Sequence, residues 1–102
     1  MKVVIADAAE IDLEKIGDDI AMGSPRRALT FTNELRASCE ALSEMPRAFP
    51  VAPMLPRSNI RRRVHGNYLI FFRIGVDRID VIRILHGAMN YAEILLGDDI
   101  TG

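Results

Sequence analysis

Apolar residues recur at helical spacing in the first half of the chain and alternate with polar ones in the second. Val3, Val4 and Ile5 form a β-branched run that predicts a short strand over Lys2–Ala6. Asp7-Ala8-Ala9-Glu10 has the form of a capping box, which predicts a helix starting at Asp7. Leu13, Ile16 and Ile20 then keep helical spacing and leave Asp12, Asp18 and Asp19 to the polar side. Gly17 costs this helix about 1 kcal/mol relative to alanine, which suits a close helix–helix contact. Met22-Gly23 ends it, and Ser24-Pro25 opens a second helix with an N-cap and a proline at the first helical position. Ala28, Phe31, Leu35, Cys39 and Leu42 form its apolar stripe, which predicts a helix from Pro25 to about Met45. So short a connection predicts an antiparallel helical hairpin.

Pro46, Pro50, Pro53 and Pro56 then exclude helix and predict an extended crossing over the surface. Three strands follow, at Ile60–His65, Tyr68–Ile74 and Arg78–Leu85, joined by turns at Gly66-Asn67 and Gly75-Val76-Asp77. Alternation places Arg61, Arg63 and His65 on one face of the first strand, projecting outward, and Ile82 with Ile84 on one face of the third. The middle strand is apolar on both faces. The hairpin covers one face, and the other needs a second cover, for which a partner segment is one source. The expected fold is α+β: an N-terminal strand, an antiparallel helical hairpin on a small antiparallel sheet, and a short C-terminal helical segment.

At 102 residues, one domain over 1–102 is the expectation. No apolar run approaches the roughly 18 residues that span a bilayer, and Met1–Asp7 turns acidic too soon for a signal peptide. Cys39 is the sole cysteine, so no disulfide forms within the chain. These features fit a cytoplasmic protein without membrane contact. The net charge of −1 is unevenly spread: residues 1–23 hold two lysines against six acids, residues 57–88 seven arginines against two aspartates. Such asymmetry steers partners, yet the chain lacks the overall basicity of a dedicated nucleic-acid binder.

Arg61, Arg62, Arg63, Arg73 and Arg83 have the chemistry to grip phosphate or carboxylate through forked hydrogen bonds. The competing reading is a solvated sheet face whose edge charges discourage aggregation. Arg62 alternates toward Ile60 and Val64 and is the weaker candidate. His65 and His86 have no metal-ligand spacing, and Gly66, Gly75 and Gly87 build no phosphate-cradling loop. No metal or cofactor is expected. Cys39 lies on the apolar stripe and reads as core.

Gly66-Asn67-Tyr68-Leu69-Ile70-Phe71-Phe72-Arg73-Ile74 and Val81-Ile82-Arg83-Ile84-Leu85-His86-Gly87-Ala88, with Asp12-Leu13-x-x-Ile16 upstream, resemble the ParE toxins of type II toxin–antitoxin systems, within the RelE/ParE superfamily. Phe72 stands where that family commonly has tyrosine, and Met89-Asn90 where it has Arg-Asp. The resemblance implies a toxin neutralised by a cognate antitoxin in a hetero-oligomer, blocking DNA gyrase by binding rather than hydrolysis. Contact with nucleic acid would be indirect, through antitoxin or target. Target or partner contacts are expected at Arg61, Arg63, Arg73, Arg83 and His86, and antitoxin contacts at Leu13, Ile16, Ile20, Phe31, Leu35 and Phe72. One alternative is a RelE-like ribosome-dependent mRNA endoribonuclease built on Arg63, Arg83, His86 and Tyr91. The other is a non-toxic antitoxin-binding module.

Overall fold

The computed structural model describes the backbone of residues 1–101 and the side-chain surroundings of residues 1–97. A strand β1 (Lys2–Ile5) leads into helices α1 (Asp7–Ala21) and α2 (Pro25–Glu40). Two single 3-10 turns (Ala41–Ser43 and Pro46–Ala48) precede strands β2 (Arg61–His65), β3 (Tyr68–Ile74) and β4 (Arg78–His86), and α3 (Tyr91–Thr101) closes the chain. The four strands form one sheet in the order β1-β4-β3-β2. β1 joins it parallel to β4, so the sheet is mixed, while β2, β3 and β4 are antiparallel.

Local chemistry accounts for most boundaries. The Ser24 hydroxyl accepts the Arg27 N–H at 3.2 Å and caps α2, with Pro25 at the first helical position. α2 stops at Glu40 and tightens into the 3-10 turn Ala41–Ser43, and Met45 leaves the helical region (φ −141°, ψ 59°) because that region is disfavoured for the residue before Pro46. The capping box at Asp7 does not form. Ala6 is the N-cap without a side-chain bond, its N–H donating to Val81 O at 2.9 Å, and the Glu10 carboxylate is taken by Arg36 at 2.7 and 3.0 Å. That forked bond holds the Glu10 carboxyl below its ordinary range. Gly17 is the close contact of the hairpin: a Cβ there would meet Thr32 Cγ2 at 3.3 Å. Gly66 turns β2 into β3 at φ 59°, a conformation side chains resist.

The sheet is buried on both faces by the chain itself. Between hairpin and sheet lie Leu13, Ile16, Leu35, Leu42, Ile70, Phe72, Val81 and Ile84, with Ile20, Phe31, Phe49 and Tyr68 at the margin. On the opposite face Ala52, Leu55 and Ile60 from the proline-rich crossing, together with α3 through Tyr91, Ile94 and Leu95, cover Leu69, Phe71, Ile82 and Leu85. The second cover expected from a partner is therefore internal. The strict alternation expected of β4 also fails: Phe71 faces Arg83 but Phe72 faces Val81, which makes Ile82 the extra residue of a bulge. Ile79, Val81 and Ile84 consequently enter the hairpin-side core, and Ile82 and Leu85 the other.

Candidate functional site

The Ile5–Val81 pair is the last of the β1–β4 ladder, and β4 runs on to His86 without a strand on that side. Asp12, in α1, takes over there. Its Oδ2 accepts the Ile84 N–H at 2.9 Å, and the Arg83 guanidinium grips the carboxylate through Nε at 2.8 Å and Nη2 at 2.9 Å. Asp12 is 6% exposed and the Arg83 side chain 22%, so this fork is charge-assisted and largely shielded from water. Asp12 thus lies inside the apolar face, between Ala9 and Ile16, and not on the polar side. Its three-residue step from Ala9 is visible in the sequence as Ala9, Asp12, Leu13 and Ile16, all of them buried. An aspartate falling on the i+3 position of a buried stripe was the available signal.

Above this pair opens a cleft of about 380 Å³, lined by Lys15 and Asp19 of α1, Tyr68 of β3, Arg83 and His86 of β4, and Met89. The His86 ring stands edge-on to Tyr68, with centroids 5.2 Å apart. His86 Nδ1 accepts the Ala88 N–H at 3.0 Å, which leaves the proton of the neutral ring on Nε2.

The arginines of β2 do not project outward as the alternation implied. Arg61 donates to Phe49 O at 2.7 Å, and Arg63 donates to Ser38 O at 2.9 Å with its guanidinium 5.0 Å from the Phe49 ring centroid. Arg63 reaches back because α2 ends beside β2 and offers carbonyls the helix itself leaves open, and Arg61 because the proline-rich crossing brings the Phe49 carbonyl alongside β2. The Ser38 hydroxyl and His65 Nδ1 share a hydrogen bond of 2.7 Å in the same corner. Arg73 is exposed, opposite Asp80, whose carboxylate pairs with Arg78 at 3.0 Å. Among the described residues no group of three or more His, Cys, Asp or Glu side chains is placed to hold a metal ion, and no helix is long and apolar enough to cross a membrane.

Residues 3–91 match the family model of the ParE toxin of the type II toxin–antitoxin system, parDE. The chain belongs to the ParE toxin family. It is 36% identical over 78 residues to toxin ParE1 of Caulobacter vibrioides, covering 72% of this chain and 79% of that protein. The fold of this ParE toxin is similar to a chain of the chromosomal ParDE system of P. aeruginosa (TM-score 0.73, 18% identity, 84% of this chain and 95% of that one). It is also similar to a chain of the toxin–antitoxin complex RelBE2 of Mycobacterium tuberculosis (TM-score 0.53, 17% identity, 83% and 95%).

In this ParE toxin the four residues of the ribonuclease alternative do not meet. Arg83 and His86 share the cleft, Arg63 is held at the end of α2, and Tyr91 packs on Phe71 across the sheet with ring centroids 5.0 Å apart. Of the residues expected to meet an antitoxin, Leu13, Ile16, Leu35 and Phe72 are at most 7% exposed. They fill the chain's own core, where a partner has no access without opening the hairpin. Ile20 and Phe31 remain half-exposed at its margin.

Cys39 is fully buried, and desolvation pushes its thiol up to about 12 from an ordinary value of about 8.5. The fold favours the protonated thiol. This contribution to stability is complete below the unfolded value and is lost as pH rises toward the folded one. At pH 8 iodoacetamide is expected to label Cys39 only at the rate of unfolding. Labelling of the folded chain as fast as a free thiol would contradict its burial.

Proposed function

We propose that this ParE toxin arrests growth by binding DNA gyrase in the cytoplasm, without hydrolysis, and that a cognate antitoxin neutralises it by direct binding. Residues 1–102 act as one toxin domain in this reading. The observation that carries the choice of blocking over cutting is the state of Arg83. A ribonuclease needs a cation free to meet the developing charge on phosphate, whereas the Arg83 fork is closed on Asp12. Tyr91, packed against Phe71, is likewise a covering residue. For the antitoxin, the outer sides of α1 and α2 and the turn between them present large exposed apolar residues: Ile11 on α1, Leu29 on α2 and Met22 in the turn. These are suited to a segment that folds on contact.

Induced expression is expected to stop growth, and co-expression of the small protein encoded beside it is expected to restore it. Purified toxin is expected to inhibit supercoiling by gyrase, with relief on adding antitoxin. Unchanged supercoiling in the presence of folded, growth-arresting toxin would remove gyrase as the target. Codon-phased cuts in a primer-extension map would then establish the ribonuclease reading.

A further inference from the structure

β2 is an edge strand, hydrogen-bonded to β3 on one side only. Across the two-residue turn His65 pairs with Tyr68, and Arg63 with Ile70, so Arg62 and Val64 point their N–H and C=O groups away from β3. The chain covers the start of this outer edge: Pro50 O accepts the Arg62 N–H at 3.0 Å, and Ala52 N–H donates to Ile60 O at 2.8 Å. There the cover ends. Phe49 tucks its ring beneath Arg63, and Val64 is left 59% exposed.

The same region carries an unusual charge. Residues 45–76 contain six arginines (47, 57, 61, 62, 63 and 73) and no aspartate or glutamate. Among the described residues none of the six forms an ion pair with a carboxylate. Arg47 and Arg61 also line a cleft of about 130 Å³ beside Val51, a space on the scale of one carboxylate side chain.

We propose that the open edge of β2 at Arg62–His65 is a docking site for an acidic segment of the antitoxin, added as an extended strand. This rests on the antitoxin reading above. Backbone bonds to Arg62 C=O and to Val64 give the register, and the arginines select acidic side chains. A second copy of this chain is the poorer occupant, because it would bring its own arginines against these. A single-stranded nucleic acid is disfavoured as well: the neighbouring rings Phe31, Phe49 and Tyr68 are packed on other groups and offer no open stacking platform.

Hydrogen exchange at the Val64 amide tests this, using the protein encoded beside the toxin as the probe. The amide is expected to exchange freely in the toxin alone and to slow by about 100-fold in the complex. Val64→Pro removes that one donor at an edge position where proline is tolerated. It is expected to weaken antitoxin binding by roughly ten-fold while circular dichroism and growth arrest persist, and Val64→Thr is expected to bind as wild type. A complex that forms with Val64 still exchanging freely overturns edge docking alone. A wild-type toxin that captures no antitoxin overturns this inference and the antitoxin reading together. Slowing by an oligonucleotide but not by the antitoxin overturns the choice of a peptide.

Discussion

Asp12→Ala is expected to cost about 3–5 kcal/mol of unfolding free energy, the loss typical of removing one partner from a buried ion pair. Small domains have only roughly 5–15 kcal/mol in total, so the variant sits near the limit of folding. The Arg83 guanidinium would lose both of its bonds to the Asp12 carboxylate, and the Ile84 N–H would lose the acceptor that stands in for a neighbouring strand. Asp12→Asn keeps one oxygen for Ile84 and is expected to fall between wild type and alanine. Asp12→Leu combined with Arg83→Met is expected to cost less than the two single changes summed, since no lone charge is left buried. Urea unfolding of the wild type, these three variants and the single variants Asp12→Leu and Arg83→Met provides the measurement. An alanine variant within about 1 kcal/mol of wild type would show that the pair contributes no more than an exposed one, such as Arg36–Glu10 with both side chains nearly half exposed. The same logic applies to function. If Arg83→Ala abolishes toxicity, the folded fraction must be measured before the loss is assigned to target contact.

Phe71→Ala is expected to destabilise the free chain by about 3–5 kcal/mol, as for other fully buried aromatics cut back to alanine. Phe71 has no exposed surface and packs between Tyr91 and the apolar residues of the proline-rich crossing. This face of β3 is the one for which alternation alone allowed a partner as cover. The two arrangements give opposite results: a partner-covered Phe71 would weaken binding and leave the free chain stable, whereas a self-covered one unfolds the free chain. Thermal unfolding of the isolated toxin therefore decides between them. Leu95→Ala, on α3, is expected to act in the same direction by about 2–5 kcal/mol. An unchanged melting temperature for both variants would mean that α3 does not cover the sheet in solution.

Much of the fold was legible because its signals are local. Leu13, Ile16, Leu35 and Leu42 repeat at helical spacing, Ser24-Pro25 is a start signal, and Gly66-Asn67 is a hairpin turn. Each depends on a few neighbours along the chain, and each reappears in the structure. The candidate site was less legible. Alternation assigned Arg61 and Arg63 to solvent because it counts residues and knows nothing of the carbonyls of Phe49 and Ser38 that arrive beside them. Asp12 was assigned to the polar side by its charge, although its spacing from Ala9 put it on the buried face. The bulge at Ile82 left no trace in the strand's composition, and it alone puts Ile82 and Ile84 on opposite faces.

By itself, the sequence determined the element types, their order and the toxin family to which the chain belongs. Periodicity, caps and turn residues act over a few positions and survive without knowledge of the whole. Only the tertiary structure decided what the charged side chains do. A guanidinium bonds whatever acceptor the fold brings within about 3 Å, and for Arg83 that acceptor lies 71 residues away, on Asp12. The structure likewise decided which sheet surfaces stay open, because an edge is defined by the strand that is not there.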